Sequence, residues 1–206
     1  MCKFSFLSIL ALAAFLTGCQ SEKTPVAPSQ PPQVSQPSPT VAPVAAPASE
    51  ANQLKPPVRI DAGASSPFTD AAGNQWLADQ NFEGGDVAER DANLPIANTA
   101  DPGLYRTEHY SMDSFSAKIP NGKYIVKLHF AETYEGITGP GQRVFSFNVN
   151  GQDFKDFDVW VKSGGFAHAY VETVNVEVTD ETLKIVFTSS GMDNPEINGI
   201  EILPAS

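Results

Sequence analysis

Cysteine is scarce in this 206-residue chain, which contains only Cys2 and Cys19. Both lie near the start, so no pair of cysteines is left to form a disulfide in the rest of the chain. This excludes the class of small secreted domains that are held together by disulfide bonds. A long hydrophobic run is also lacking. The apolar run from Phe4 to Leu16 is too short to span a bilayer comfortably, and with Lys3 before it and small residues after it the run is typical of a secretory signal.

The signal ends in the sequence Leu-Thr-Gly-Cys at residues 16–19, which resembles the bacterial lipobox. We therefore predict a lipoprotein signal peptide at residues 1–18 and lipidation of Cys19 by acyl chains such as palmitate. Cleavage before Cys19 would remove Cys2, and acylation would explain the one thiol that remains in an exported protein. An ordinary signal peptide followed by an unrelated cysteine is the alternative.

The residues after Cys19 bear on location. Gln20 and Ser21 stand where an aspartate would resemble an inner-membrane retention signal. We expect a lipid-anchored protein of the cell envelope, in the outer membrane if the host has two membranes, with its periplasmic and surface faces both left open. Several acyl chains would hold the protein persistently, since one chain alone gives only marginal membrane binding.

Core-forming side chains are sparse between Gln20 and Pro57, a segment that holds ten of the 17 prolines. Scattered prolines remove backbone donors and favour polyproline II. We predict a disordered Pro- and Ala-rich linker at residues 19–57, which would serve as a flexible stalk of roughly 110 Å at about 3.1 Å per residue if fully extended. Residues 58–206 are then long enough for one folded domain.

Basic residues are few, with 13 Lys and Arg against 24 Asp and Glu. Two of the acidic residues and three of the basic residues precede residue 58. The predicted domain therefore holds 22 acidic and ten basic residues, a net charge near −12. Because proteins bind nucleic acid through Lys and Arg that neutralise phosphates, nucleic acid is excluded as a partner.

No segment after the signal peptide shows a sustained helical period, whereas strand patterns recur. Tyr124, Val126, Leu128 and Phe130 share one face by period-two geometry, and the residues from Val144 to Val149 alternate in the same way. We interpret Lys123–Gly151 as a hairpin whose polar loop carries Tyr134. Further strands are predicted at 58–62, 114–119, 171–178, 183–188 and 197–203. Short strands at this spacing predict an all-β fold, an antiparallel β-sandwich or jelly roll.

Seven segments resemble the malectin domain in order and spacing, and together they cover nearly all of 58–206. They are 59–63 (Arg-Ile-Asp-Ala-Gly), 104–108 (Leu-Tyr-Arg-Thr-Glu), 128–134 (Leu-His-Phe-Ala-Glu-Thr-Tyr), 143–145 (Arg-Val-Phe), 149–151 (Val-Asn-Gly), 156–158 (Asp-Phe-Asp) and 198–202 (Asn-Gly-Ile-Glu-Ile). The resemblance implies a lectin-like β-sandwich that binds carbohydrate.

The resemblance also implies a site, because in animal malectin a glucose disaccharide lies among loop aromatics and an aspartate. Tyr134 and Asp193 match family positions, and Trp76 supplies an aromatic at a third. Arg90 stands where the family member has a tyrosine, and Glu135 stands where it has a phenylalanine. Trp76 and Tyr134 would be stacking platforms for a sugar ring, and the three charged groups would fix its orientation through its hydroxyls. The alternative places Trp76 in the core and pairs Arg90 with a neighbouring acid on the surface.

Other polar residues are given structural roles. Tyr105, Arg106, Thr107 and Glu108 are expected to brace strands and loops, and His129 to be hydrogen-bonded against the second sheet. Asp153, Asp156 and Asp158 suggest a cation, yet they miss the Gly turn and terminal Glu of a calcium loop. We expect no cofactor and no catalytic metal, and a structural calcium ion stays open.

The leading functional hypothesis is non-catalytic binding of an oligo- or polysaccharide by a membrane-anchored envelope lipoprotein. A second is a small glycosidase that uses paired carboxylates. A third is an interaction module for another envelope protein, which would reuse the malectin groove; the charged residues Arg90 and Glu135 favour it. The sequence specifies neither the sugar nor the oligomeric state.

Overall fold

The computed structural model describes residues 53–205. The predicted signal peptide, the predicted lipidation site Cys19 and most of the predicted stalk lie outside the described residues. Leu54 lies within them: its backbone N–H donates to the Lys118 carbonyl at 2.8 Å and its side chain packs on the core. Folded contacts thus begin four residues before the predicted boundary at 58. No helix within 53–205 is long and apolar enough to cross a membrane.

Two antiparallel sheets face each other across the main core. The twelve strands are β1 (Val58–Asp61), β2 (Phe68–Thr69), β3 (Gln75–Trp76), β4 (Phe82–Glu89), β5 (Thr107–Lys118), β6 (Gly122–Phe130), β7 (Val144–Val149), β8 (Gln152–Asp158), β9 (Tyr170–Val178), β10 (Thr182–Met192), β11 (Glu196–Ile197) and β12 (Gly199–Pro204). One sheet has the order β1-β12-β6-β9. The other has the order β11-β5-β10-β7-β8, and β4 also pairs with β5. β2 and β3 pair with each other separately. The predicted all-β, antiparallel class is confirmed.

The predicted faces of β6 and β7 are confirmed, but the hairpin between them is wrong. Tyr124, Val126, Leu128 and Phe130 are buried on β6, and Phe145, Phe147 and Val149 are buried on β7. The two strands lie in different sheets. Their apolar faces cover each other across the core, with the Phe130 ring 5.9 Å from that of Phe147. Residues 131–143 therefore cross from one sheet to the other.

Other differences from the predicted strands have local causes. β5 begins seven residues earlier than predicted, and β4 was not predicted at all. β4 is an edge strand whose side chains are mostly exposed, so it lacks the alternation that marks a half-buried strand. Asn150 and Gly151 form the turn that joins β7 to β8, and both have positive φ, 48° and 94°.

Two short helices interrupt the strands within residues 53–205. A 3-10 helix spans Pro102–Tyr105 and precedes β5. An α-helix, α1, spans Val159–Ser163 directly after β8. Asp158 caps its start, since its side chain accepts a hydrogen bond from the Val161 N–H, and Gly164 ends it in the left-handed conformation.

Candidate functional site

A cavity of about 320 Å³ opens where β4, the crossing segment 131–143 and the loop before β11 meet. Its walls come from β4 and β5 of the six-stranded sheet and from the segments beside them, among them the crossing segment that leaves β6 and enters β7. Eight residues line it: Ala88, Arg90, Glu108, Tyr110, Tyr134, Arg143, Asp193 and Asn194. The structure thus brings together three of the five predicted site residues, Arg90, Tyr134 and Asp193.

A second cavity of about 280 Å³ adjoins the first. It is lined by Arg90, Asp91, Leu94, Thr133, Tyr134, Glu135 and Phe166. Arg90 and Tyr134 line both cavities, so they form a wall between them. Glu135, the fourth predicted residue, belongs to the second cavity.

Tyr134 is the exposed aromatic of the site, with 48% of its surface accessible. Its backbone N–H donates to Glu132 Oε1 at 3.0 Å, and its carbonyl accepts from Ile137 N–H at 3.0 Å, which forms a tight turn. Gly136 lies against the ring, and a Cβ there would fall 2.5 Å from a ring carbon. The turn therefore holds the backbone while the absence of a side chain at 136 makes room for the ring.

Arg90 is held on two sides. Its Nη2 donates to Glu108 Oε1 at 2.5 Å and its Nε to Thr133 Oγ1 at 3.2 Å. The centre of the guanidinium lies 5.9 Å from the centroid of the Tyr134 ring, a cation–π distance. The partner of Arg90 is thus the buried Glu108, not a neighbouring surface acid, and one side of the Tyr134 ring is covered.

A second ion pair lies beneath the cavity. Arg143 donates from Nε to Glu132 Oε2 at 2.7 Å and from Nη1 to the Asn194 carbonyl at 2.6 Å. Asp193 Oδ1 lies 3.4 Å from the same Nη1. Arg143 and Glu132 are both almost completely buried. Arg143 therefore fixes the loop that carries Asp193 to the base of the crossing segment.

Glu196 lies beside these pairs and differs from them. It is fully buried, and neither of its carboxyl oxygens has a hydrogen-bond partner among the described residues. Burial raises its pKa well above the usual range, and repulsion from Glu108 adds to the effect while attraction from Arg143 opposes it. Burial therefore favours the neutral, protonated form of its carboxyl group. We call Arg90, Glu108, Glu132, Arg143 and Glu196 the acid–guanidinium cluster.

Trp76 does not belong to the site, and its expected role as a sugar platform is wrong. Only 3% of its surface is exposed. Its ring stacks on Phe68 at 5.9 Å and meets the edge of His129 at 5.4 Å, while its Nε1 donates to Asp70 Oδ2 at 3.0 Å. The small β2–β3 sheet holds the ring over a second buried cluster that includes Leu104. Both faces are already in use, and the alternative core assignment is the correct one.

The structure also shows the positions of His129 and Asp158, two other polar residues considered in the sequence analysis. His129 is hydrogen-bonded, as predicted: Nδ1 lies 2.8 Å from the Tyr105 hydroxyl and Nε2 lies 3.1 Å from Glu201 Oε1. It is covered by Trp76 on the outer face of its sheet, however, not by the six-stranded sheet. Asp158 caps α1 and also accepts from the Gly141 N–H. Within 53–205, no three His, Cys, Asp or Glu side chains converge to form a metal site.

Sequence reasoning missed four polar residues that line the first cavity: Glu108, Tyr110, Arg143 and Asn194. Glu108 does brace a loop, as predicted, but it also faces the cavity. A signal for two of the four was present, since Glu108 and Arg143 both fall inside segments quoted for the family resemblance. No sequence pattern marks Glu196 as buried, because its environment is built from residues distant in the chain.

Comparisons with known proteins agree on the family and the fold. The Malectin domain family model matches residues 57–200. Receptor-like protein 4 of Arabidopsis thaliana is 37% identical over 107 residues, which cover 48% of this chain and 17% of that protein. A Bacteroides uniformis beta-glucuronidase has a TM-score of 0.65 at 21% identity, over 75% of this chain and 19% of that one. The ANX2 ectodomain of Arabidopsis thaliana has a TM-score of 0.62 at 19% identity, and the match covers 71% of this chain and 48% of that one. The chain thus spans less than a fifth of the length of the curated relatives it matches.

Proposed function

The chain belongs to the malectin domain family, and from this premise we propose that its folded domain binds carbohydrate, without catalysing a reaction, between Arg90, Tyr134 and Asp193. The exposed Tyr134 ring at the edge of a polar cavity carries the proposal. A pyranose has an apolar C–H face that a phenol ring covers well, and a rim of hydroxyls that charged groups bind. This cavity is bordered by a phenol ring, that of Tyr134, and by the charged groups of Arg90 and Asp193.

The fixed orientation of the charged groups supports the same function. Arg90 is tied to Glu108 and Thr133, and Asp193 is tied to its loop by a 2.6 Å bond from the Asn194 N–H. Groups that are already ordered lose little conformational entropy when a ligand binds. A single shallow site of this kind is expected to have a Kd of about 1 mM, or about 4 kcal/mol.

Isothermal titration and a glycan array test the proposal. The full chain is used in a detergent without a sugar headgroup, because glucoside and maltoside detergents would compete for the site. We expect heat or retention with at least one class of neutral or charged plant, algal or bacterial glycan. The absence of binding across all of these classes at about 10 mM, tenfold above the expected Kd, would contradict it.

Replacing Tyr134 with alanine is expected to weaken binding at least tenfold. The substitution removes the one exposed ring of the cavity and also the surface on which Arg90 rests, whereas the 48% exposure of the ring implies little loss of folding stability. Titration of the best glycan measures the effect. Tyr134→Phe keeps the ring and serves as the control; if both variants bind equally well, Tyr134 is not the platform.

Gly136 provides a more selective test of the ring position. In Gly136→Ala the new methyl group would overlap the Tyr134 ring, which must swing away because the backbone around it is fixed. We expect glycan affinity to fall about tenfold while the melting temperature changes little, since the overlap is with the far end of one side chain. Gly139→Ala in the same loop is the matched control, because its Cβ would meet only Gln142 Nε2, at an ordinary contact distance of 3.9 Å. Equal affinities for the two variants would refute the assignment.

Display on a membrane is a separate proposal. It rests on the lipobox-like residues 16–19 and on the composition of residues 20–57. We propose that acylated Cys19 anchors the chain in the cell envelope, in the outer membrane of a host with two membranes, and that the stalk holds the domain away from the lipid. Many anchored copies would then bind one polymer by avidity although each site is weak.

Cys19→Ala is expected to abolish incorporation of radiolabelled palmitate and to move the protein from the membrane fraction to the soluble fraction. The reason is that Cys19 would be the only acylated residue, and several chains are needed for persistent anchoring. Labelling and cell fractionation measure it, with Ser21→Ala as the neighbouring control. Retention of label in Cys19→Ala would overturn the anchor.

The glycosidase alternative has one observation in its favour, the raised pKa of Glu196, because a general acid needs such a shift. The burial of Glu108, Glu132 and Glu196 opposes it, since a catalytic carboxyl group must reach the glycosidic oxygen. Release of reducing ends from a bound glycan would revive this alternative.

The envelope interaction module is favoured by a different observation. Arg90 and Glu135 replace family aromatics with charges, and Arg90 covers one side of the remaining ring. A pull-down from envelope extract with and without competing glycan separates the two functions. A protein that the best glycan does not displace would support the module.

A further inference from the structure

Carboxyl groups outnumber guanidinium groups around the first cavity. Arg90 is paired with Glu108, and Arg143 is paired with Glu132, so these four charges cancel. Asp193 remains. Its Oδ1 accepts from the Asn194 N–H and lies at the weak distance of 3.4 Å from Arg143, while its Oδ2 has no hydrogen-bond partner among the described residues. Asp193 therefore lines the cavity as a carboxylate that shares Arg143 with Glu132 and whose Oδ2 is free of hydrogen bonds among the described residues.

Glu196 adds a fifth ionisable group beside the two ion pairs, but no charge while it is protonated. It is completely buried beside the two ion pairs with neither oxygen partnered. The charged groups that face it are Glu108, Arg143, Glu132 and Arg90. Even with Glu196 protonated, these groups and Asp193 sum to one negative charge. A ligand that carries a carboxylate or sulfate would add to that charge, whereas a cationic ligand would neutralise it.

The adjoining cavity and the domain as a whole have the same sign. Asp91 and Glu135 line the second cavity, and the only basic residue there is Arg90, which is already paired with Glu108. The chain as a whole has a net charge of −11. A positively charged ligand would therefore be attracted over long range as well as at Asp193.

We infer that the ligand of this cavity is a glycan with protonated amino groups, an amino sugar whose ammonium binds Asp193 Oδ2 while its ring covers the open side of Tyr134. The inference rests on the proposed carbohydrate function and names its ligand class. A sugar fits better than a lysine side chain, because Arg90, Asn194 and Tyr110 offer polar groups for hydroxyls around the whole cavity. A lysine stem could cover the Tyr134 ring as well, but it has no hydroxyl groups to bind these polar groups.

Three tetrasaccharides with the same β-1,4 backbone test the inference, because they differ only at C2: a hydroxyl in cellotetraose, an acetamide in the N-acetylglucosamine tetramer and an ammonium in the glucosamine tetramer. Titration of the full chain at about pH 6 keeps carboxylates of ordinary pKa ionised. We expect the glucosamine tetramer to bind about fivefold more tightly than either neutral tetramer, as for one part-exposed ion pair. Added salt should reduce that ratio.

The outcomes separate this inference from the proposed function. If cellotetraose or the acetylated tetramer binds as tightly as the glucosamine tetramer, carbohydrate binding stands and the inference is overturned. If tetragalacturonate binds more tightly than the glucosamine tetramer, the charge argument is wrong. If tetralysine binds as tightly as the glucosamine tetramer, charge alone is recognised and the sugar assignment falls. Silence of all glycans contradicts the proposed function itself.

Asp193→Asn identifies the group responsible. We expect the ratio of the two affinities, glucosamine tetramer over cellotetraose, to fall from about five to about one, because the amide has the size of the carboxylate but no charge. Glu177→Gln removes one acidic charge from β9, on the four-stranded sheet, and is the matched control for net charge. A ratio that stays high in Asp193→Asn, or that falls equally in Glu177→Gln, would overturn the assignment to Asp193.

Discussion

Replacing Arg143 with methionine is expected to lower the free energy of unfolding by about 3 to 5 kcal/mol. Methionine fills much of the same space but leaves Glu132 fully buried without its ionic partner, and it also removes the donor to the Asn194 carbonyl. A buried charge that loses its partner costs far more than an exposed one, because water cannot replace the lost interaction. Urea unfolding followed by circular dichroism measures the change.

Two further variants show whether the cause is the unpaired charge. Arg59→Met breaks an ion pair whose side chains are partly exposed and whose acid, Glu201, keeps His129 and Lys127 as partners. We expect it to cost about 1 kcal/mol. The double variant Arg143→Met/Glu132→Leu should recover part of the loss, because no unpaired carboxylate remains at that position. If Arg143→Met costs no more than Arg59→Met, the cluster does not hold the fold together.

Replacing Glu196 with leucine is expected to stabilise the fold at about pH 8 by roughly 1 to 4 kcal/mol, since well-packed apolar residues often improve on buried ionisable groups. The direction in which the stability contribution of Glu196 changes with pH follows from its raised pKa. The folded state holds the proton more tightly than the unfolded chain, so the contribution is fully present below the unfolded pKa. It is lost as pH rises through the folded pKa.

Measurements from about pH 5 to about pH 8 isolate this contribution. Other groups also make the stability of the wild type depend on pH. Burial raises the pKa of Asp61 to about 7, so the stability that Asp61 contributes also falls as pH rises. In Glu196→Gln, the part of the decline in the free energy of unfolding that comes from Glu196 should disappear, and the part that comes from Asp61 should remain. In Asp61→Asn, the part from Asp61 should disappear and the part from Glu196 should remain. A Glu196→Gln profile parallel to that of the wild type would show that Glu196 is not protonated in the folded state.

The sequence predicted which face of a strand is buried better than it predicted which strands are neighbours in a sheet. Period-two alternation places Phe130 and Phe147 in the core whichever strand covers them, because the pattern depends only on which side is buried. It does not say whether two such strands lie side by side or face to face, and here they face each other. The presence of a site could be predicted from the family positions of Tyr134 and Asp193, whereas the burial of Trp76 depends on the local β2–β3 sheet.

The contacts within the acid–guanidinium cluster could not be predicted from the sequence for a related reason. Arg143 contacts Glu132 eleven positions away and Asn194 fifty-one positions away. Charge counts along the chain give a strongly acidic domain but not which acids are buried, paired or left over. That distinction is set by the packing of loops from both sheets, and it decides both the stability and the charge of the cavity.

The ion pair between Glu132 and Arg143 joins the two ends of the crossing segment at its base. Between them, the tip at 135–142 is largely exposed apart from Ile137, which is buried and anchors it. The closed base allows the tip to be exchanged as a cassette, in the way that a hypervariable loop is exchanged on an antibody framework. A library built on 135, 136 and 138–142 would then alter what this scaffold recognises while its two sheets stay joined.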